Sequence, residues 1–551
     1  MFSHMALQIA GGVILLGHLA AGMSAPTTQS NYGYEQAPNY WYELAEEELK
    51  STLEDRPMGV AKNVILFLGD GMGVATVTAG RILAGQKIGK RGEEHKLSFD
   101  SFPYTGLSKT YNTDSQITDS AASATAFLCG IKTNQGLLGL SATAKRGMCN
   151  TTQHAHVDSI LRWSAAAGKS TGIVTTTRIT HATPAGAYAH SGDRDWETDR
   201  AIPESERACE DIALQLITRN SDINVIMGGG RGNFYPDGFT DPDPDPKFNT
   251  NKTSRLDGRN LIEEWKQAKR NQNATHRFVY DKPGLDAVNV AETDFLLGLF
   301  KQGHLSYEPE RNRTTEPSLT DMVEKAIGIL SRNSKGFFLL VEGGRIDHAH
   351  HDSQASRSLH EVVSMAEAVE MATRLTSKSD TLMVVTADHS HVVSIAGYAS
   401  RGNPILGVSD LYGEVNMRAS DKMPYTTIVY GNGPGYNSTR QNLTGVDTEN
   451  EEYVFQSAVP MKSETHGGED VAIFAKGPQS FLYTGVHEQS YIPIVMAYAS
   501  CVGPFAEGKK HCAPRITNLY PTIECKHPSD AVFAKPSLFA VILSFLLLID
   551  L

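Results

Sequence analysis

Short runs rich in Val, Ile, Leu and Phe alternate along the chain with stretches whose apolar positions recur at the helical period. This is the pattern of an α/β domain built on a largely parallel sheet. KNVILFLGDG, KSTGIVTTT, DINVIMGGG, KGFFLLVEGG and DTLMVVTADHS predict buried strands, and residues near 157–167, 206–218, 258–270, 318–333 and 353–375 predict helices. FTDPDPDPKFNTNKTS, residues 239–254, reads as a polar Asp-Pro loop. From about 397 to 465 the helical period fades and Gly, Asn, Pro and Tyr become dense, which predicts an inserted, loop-rich subdomain. Residues 35–55 predict an amphipathic helix whose Trp41 and Tyr42 either cover a core or meet a partner subunit.

The two ends follow another pattern. MALQIAGGVILLGHLAAGMSA has an apolar core followed by small residues, which predicts a signal peptide over residues 1–25 with cleavage between Ala21 and Ala25. The C-terminal KPSLFAVILSFLLLIDL is apolar for about fifteen residues, short of the roughly twenty that span a bilayer. With small residues at Ser529 and Ala531 and a polar spacer, it predicts a GPI-attachment signal: Ser529 as the attachment site, 530–551 as the removed propeptide, and the extracellular face of the cell membrane as the location. A single-pass tail anchor is the competing reading. On a secretory route, sequons at Asn150, Asn251, Asn273, Asn312, Asn437 and Asn442 become candidate glycan sites. The six cysteines are too few for a disulfide scaffold but permit staples. Cys501 and Cys512, flanking a short polar loop, are the first candidate pair within a C-terminal segment over 501–528, and Cys149 with Cys209 the second; Cys129 is left buried and free, and Cys525 has no evident partner.

Bulk composition removes some functions. The chain has 551 residues, 40% hydrophobic and 20% charged, which is globular rather than disordered. Its net charge of -12 gives no basic footprint for nucleic acid, so an anionic substrate needs a local positive site such as metal ions or a few arginines.

Candidate ligands stand where such a site is expected. Three predicted strands end in acids: Asp70 in FLGDG, Glu342 in LLVEGG, and Asp388 followed by His389 in VVTADHSH. Open α/β sheets bind ligands beyond the carboxyl ends of their strands, and carboxylates gathered there repel one another unless cations separate them. In EGGRIDHAHHDS, Asp347 and His351 are four apart and share a face if a helix begins there, while ETHGGED supplies His466. Carboxylate and imidazole without paired cysteines suit catalytic zinc and magnesium. In ITDSAASATAFLCG, Asp119 and Ser120 read either as a helix cap or as a nucleophile at a helix N-terminus. GDGMGV is no dinucleotide fingerprint, because it ends in Val74 and would put Asp70 against a pyrophosphate; AGKS at 167–170 has Trp163 where a P-loop needs glycine.

NVILFLGDGMG, TDSAASATAFLCG, TTTRITHATPAGAYAH, VEGGRIDHAHH, TADHSH and ETHGGEDV closely resemble the metazoan alkaline phosphatases, in the family's order and over nearly the whole mature chain. The resemblance implies a three-layer α/β sandwich over residues 60–500, with a large, mostly parallel central sheet and a crown insertion at about 397–465. It implies Ser120 as the nucleophile of a phosphoserine pathway and Arg194 as the phosphate clamp. One zinc would take Asp347, His351 and His466, a second Asp70, Asp388, His389 and Ser120, and a magnesium Asp70, Glu342 and Thr183. Thr183 stands where vertebrate members show serine, and its hydroxyl coordinates equally. Asp119, His181 and His348 would support these groups from behind. Phosphate monoesters as substrates and a homodimer follow from the same resemblance. The family's calcium site is implied in altered form at most: Lys301 in GLFKQG stands where an acidic ligand is expected, although Glu316 and the Asp241, Asp243 and Asp245 loop keep carboxylates.

Two other readings remain at this stage. A related metal-dependent phosphodiesterase or sulfatase is one, although the chain has no Cys-x-Pro-x-Arg sequence of the sulfatase kind. The other is a catalytically idle surface glycoprotein that acts as a receptor.

Overall fold

The computed structural model of the chain describes residues 57–245, 254–410, 419–506 and 512–513. Residues 1–25 and 35–55, Asn251, Cys525, Ser529 and the segment 530–551 lie outside the described residues. Among the described residues no helix is long and apolar enough to cross a membrane.

The strands, in chain order, are β1 (Asn63–Gly69), β2 (Tyr104–Lys109), β3 (Ser170–Arg178), β4 (Val225–Gly229), β5 (His276–Val279), β6 (Phe295–Leu299), β7 (Phe337–Gly343) and β8 (Thr381–Ala387). They continue with β9 (Ser390–His391), β10 (Val393–Ile395), β11 (Ile428–Gly433), β12 (Ser457–Pro460), β13 (His466–Gly467), β14 (Val471–Lys476) and β15 (Gly485–Glu488). Ten of them form one sheet in the order β15-β2-β14-β8-β1-β7-β3-β4-β6-β5. Its pairings are parallel except at β14, which runs antiparallel to β2 and β8.

Six helices matter for the argument: α1 (Val74–Lys87), α2 (Ser120–Cys129), α3 (Leu319–Leu330), α4 (Arg345–His351), α5 (Ala355–Leu375) and α6 (Tyr491–Ser500). The central strands separate two cores by their alternation. Val64, Leu66 and Leu68 of β1 pack with Phe127 of α2 and Val495 of α6, while Ile65 and Phe67 face Met322 of α3 and Val362 of α5 on the other side. Helices therefore cover both faces, which is why these strands read as unbroken apolar runs.

All five predicted strands are present. β15 at the sheet edge and β2 beside it escaped the pattern because several of their side chains face solvent, and β5 is only four residues long. Between 397 and 465 the described residues hold no helix; β11 and β12 there join β10, just before this stretch, in a separate three-stranded sheet. Disulfides join Cys149 to Cys209 and Cys501 to Cys512, and the Cys129 thiol is buried and free.

Candidate active site

The three acids at the strand ends converge because β8, β1 and β7 are neighbours with parallel register. Leu68 lies opposite Glu342, and Gly69 opposite Ala387. Asp70, Glu342 and Asp388 are fully buried, yet Asp70 Oδ1 and Oδ2, Glu342 Oε1 and Asp388 Oδ2 accept no hydrogen bond from the protein. Orphaned carboxylate oxygens are costly in a dry interior unless a cation meets them. The other oxygens are fixed: Glu342 Oε2 accepts from Thr175 and, at 3.0 Å, from Thr177 Oγ1, while Asp388 Oδ1 accepts from the Gly71 amide at 2.9 Å. Gly71 has φ +66°, and a Cβ there would lie 2.4 Å from the His391 ring, so the turn after β1 needs glycine for both conformation and space.

The imidazoles arrive from α4 and from a two-stranded ribbon. On α4, Asp347 Oδ1 lies 3.3 Å from His351 Nε2, so the four-residue spacing does put both on one face. In the ribbon, β9 pairs antiparallel with β13 and sets His391 opposite His466. His466 Nε2 is 3.3 Å from both Asp347 Oδ1 and His351 Nε2, and its ring stacks on His389 at 3.5 Å. His389 Nε2 lies 3.1 Å from Asp388 Oδ2 and 3.5 Å from Asp70 Oδ1. Thus Asp70, Asp388 and His389 form one group with ligand geometry, and Asp347 with His466, His389 and His391 another. These nitrogen and oxygen donors fit zinc-type or magnesium-type ions, with no thiolate to close a structural site.

Ser120 is the first residue of α2. Asp119 caps the helix by accepting from the Ala122 amide at 3.2 Å, and its Oδ2 is 3.1 Å from Arg194 Nη1. The capping reading therefore holds for Asp119, while Ser120, at the helix N-terminus, has its Oγ 3.3 Å from His389 Nε2. The alanines of α2 are all buried, so their small size lets the helix enter the core with its N-terminus at the acid cluster.

Electrostatics describe a site short of positive charge. Burial, then the charges of Asp388, Asp347 and Glu342, push the Asp70 carboxyl well above its usual range. Burial likewise raises Glu342 to about 7. Asp388 falls to about 2 because His389 outweighs its burial. The cleft cannot hold its acids all ionised without added cations.

The structure adds to the sequence reading at three places. His391 was not assigned a role from the sequence, yet it bridges Asp347 Oδ1 (2.8 Å) and Glu464 Oε2 (2.5 Å). Local pattern carries little signal for it, because β9 and β13 are only two residues long and His389 and Glu464 lie outside them. Second, His181, expected behind the magnesium ligands, groups directly with Asp70 and Glu342, and its Nδ1 has no hydrogen-bond partner. Thr183 Oγ1 is buried and has no hydrogen-bond partner. His348 lies with His181 as expected, and His304 joins them, with ring centroids 4.3 to 5.4 Å apart. Third, the residues around Lys301 do not fit calcium: Lys301 Nζ is 3.5 Å from Glu316 Oε2, and Asp241 is held by the buried Arg231 guanidinium at 2.6 Å. The described sequons, Asn150, Asn273, Asn312, Asn437 and Asn442, are all exposed.

A family model described as alkaline phosphatase matches residues 61–502. The tissue-nonspecific isozyme of alkaline phosphatase from Rattus norvegicus is 53% identical over 486 residues, covering 87% of this chain and 91% of the relative. An alkaline phosphatase from Gadus morhua is 52% identical over 476 residues, covering 85% and 98%. The solved structure of alkaline phosphatase from the Antarctic bacterium TAB5 shares the fold with a TM-score of 0.55 at 22% identity, over 81% of this chain and 99% of that one.

Proposed function

The chain belongs to the alkaline phosphatase family and hydrolyses phosphate monoesters, and we propose that it does so through a phosphoserine on Ser120. The observation that carries this reading is the position of Ser120 Oγ: at a helix N-terminus, 3.3 Å from His389, beside buried carboxylate oxygens that accept no hydrogen bond.

Asp347, His351 and His466 would hold one zinc, Asp70, Asp388 and His389 a second with Ser120 as its further ligand, and Asp70, Glu342 and Thr183 a magnesium. When bound, such ions favour the serine alkoxide, lower the pKa of a water, and balance charge on the phosphate. Ser120 Oγ gives up its proton and attacks phosphorus, the bond to the alcohol oxygen breaks on the opposite side, and that oxygen takes up a proton and leaves as the alcohol. Water then attacks the phosphoserine, releasing inorganic phosphate and returning a proton to Ser120. Arg194 holds two non-bridging phosphate oxygens through both steps, since its planar fork suits bidentate contact. Asp119 keeps that fork beside the helix N-terminus, whose amides also receive the anion.

The test is trapping. Acid quenching of the zinc- and magnesium-loaded protein with labelled phosphate puts label on Ser120, and Ser120→Ala loses both label and p-nitrophenyl phosphate turnover at unchanged metal content. Label on another residue, or turnover retained in the variant, overturns the reading. Metal analysis of the same sample gives two zinc and one magnesium per chain. We also propose that the mature protein is a homodimer held to the outer cell surface by a GPI anchor. Release from cells by a phosphatidylinositol-specific phospholipase tests the anchor.

A further inference from the structure

Away from the acid cluster, a cavity of about 500 Å³ opens beside the Cys149–Cys209 disulfide. His156 and His190 line it as a parallel pair, with ring centroids 4.2 Å apart and planes 9° from coplanar. His156 is the exposed member and His190 the half-buried one. Gln153, Glu206 and Glu210 add polar groups to the wall. Asn150 also lines the cavity, and it is the acceptor of the Asn150-Thr151-Thr152 sequon.

We infer that this cavity seats the first N-acetylglucosamine of a glycan on Asn150, stacked on the His156 ring and covering the disulfide. A pyranose has an apolar face of C–H groups, which suits a flat aromatic surface, and hydroxyl and acetamide groups, which suit carboxylate and amide partners. Burial pushes His156 below its ordinary value and His190 to about 4, so the stacked rings are neutral when the protein is at neutral or alkaline pH. The tether decides the occupant. A sugar joined to the cavity wall is present at high effective concentration, so even a weak stacking contact keeps it docked. Asn312 offers an internal control: it is exposed, with its Oδ1 accepting from the Thr314 amide at 3.1 Å and the Thr314 hydroxyl at 2.7 Å.

The experiment uses the full chain secreted from eukaryotic cells, with native peptide:N-glycosidase digestion followed by peptide mapping. The glycan on Asn150 is released about tenfold more slowly than that on Asn312, the ratio that about 1.4 kcal/mol of docking supplies. His156→Ala brings the two rates together without changing glycan occupancy, and Asn150→Gln makes Cys149–Cys209 several-fold faster to reduce by dithiothreitol. Equal release rates in the unmodified sequence, or no glycan on Asn150, overturn the inference. Slow release that persists in His156→Ala overturns the stacking and with it the proposed seat.

Discussion

Arg194 is ion-paired to Asp119, which caps the helix that begins at Ser120, with Nη1 3.1 Å from Asp119 Oδ2. The pair pre-sets the guanidinium beside Ser120 before substrate arrives, so its loss falls on phosphate binding. Arg194→Ala is expected to raise both KM for p-nitrophenyl phosphate and Ki for inorganic phosphate by about 10- to 100-fold, the worth of a charge-assisted hydrogen-bond pair at about 1.5–3 kcal/mol. Arg194→Lys recovers only part, because an ammonium cannot offer the same fork. Unchanged KM and Ki would show that the guanidinium does not touch the phosphate.

Gly71→Ala tests the turn that presents Asp70. The new methyl group would meet His391 at 2.4 Å on a backbone with φ +66°. His391 contacts Asp347, and the Gly71 amide holds Asp388, so the displacement reaches both metal groups. The expected result is a loss in kcat of about a hundredfold, the scale of an ångström misplacement in a preorganised site. Zinc retention on dialysis falls with it, while near-neutral behaviour in both assays would contradict the close packing of this turn.

Legibility along the chain followed burial and period. β1, β7 and β8 could be read because strands covered on both faces are continuously apolar, and their terminal acids break that pattern conspicuously. Asp347 and His351 could be read from helical spacing. The pairing of His391 with His466 could not, because it depends on two-residue strands 75 residues apart that carry no apolar signal of their own. His181 sits next to the site through β3 and the short turn after it, a three-dimensional fact that a local pattern does not carry. The roles proposed for Ser120, Thr183 and Arg194 came from the resemblance to alkaline phosphatases; their residue types alone permitted several.

Lys301 makes a prediction that separates this chain from the calcium-binding pattern. Its ammonium lies 3.5 Å from the buried Glu316 carboxylate, whose two oxygens also accept from the Ser306 amide at 2.7 Å and the Ser306 hydroxyl at 2.8 Å. With its own cation in place, this segment gains nothing from a divalent ion. Millimolar calcium is expected to leave Tm unchanged, whereas Lys301→Ala lowers stability by about 1–2 kcal/mol because the buried carboxylate loses its counter-charge. A calcium-dependent rise in Tm of the unmodified sequence would overturn this reading.

Glu197 ties the loop bearing Arg194 to β3 and sets a pH limit on the fold. Its Oε2 accepts from Arg178 Nε at 2.8 Å and from Asn233 Nδ2 at 2.9 Å. Burial alone would raise this carboxyl, but the Arg178 charge and these hydrogen bonds hold it below the ordinary value of 4.5. A depressed folded pKa means that the unfolded chain binds the proton first as pH falls. The pair's contribution is therefore complete above about 4.5 and is lost as pH drops through the lower, folded value. Glu197→Gln is expected to cost about 3 kcal/mol at neutral and alkaline pH, since Arg178 is left without its partner. In urea unfolding of the two proteins side by side, that difference stays level from about pH 6 to pH 9 and narrows below about pH 4.5. Metal ligands are common to both proteins, so acid release of metal cancels in the comparison. A difference that persists undiminished to about pH 3 would mean that the ion pair is not what the substitution removes.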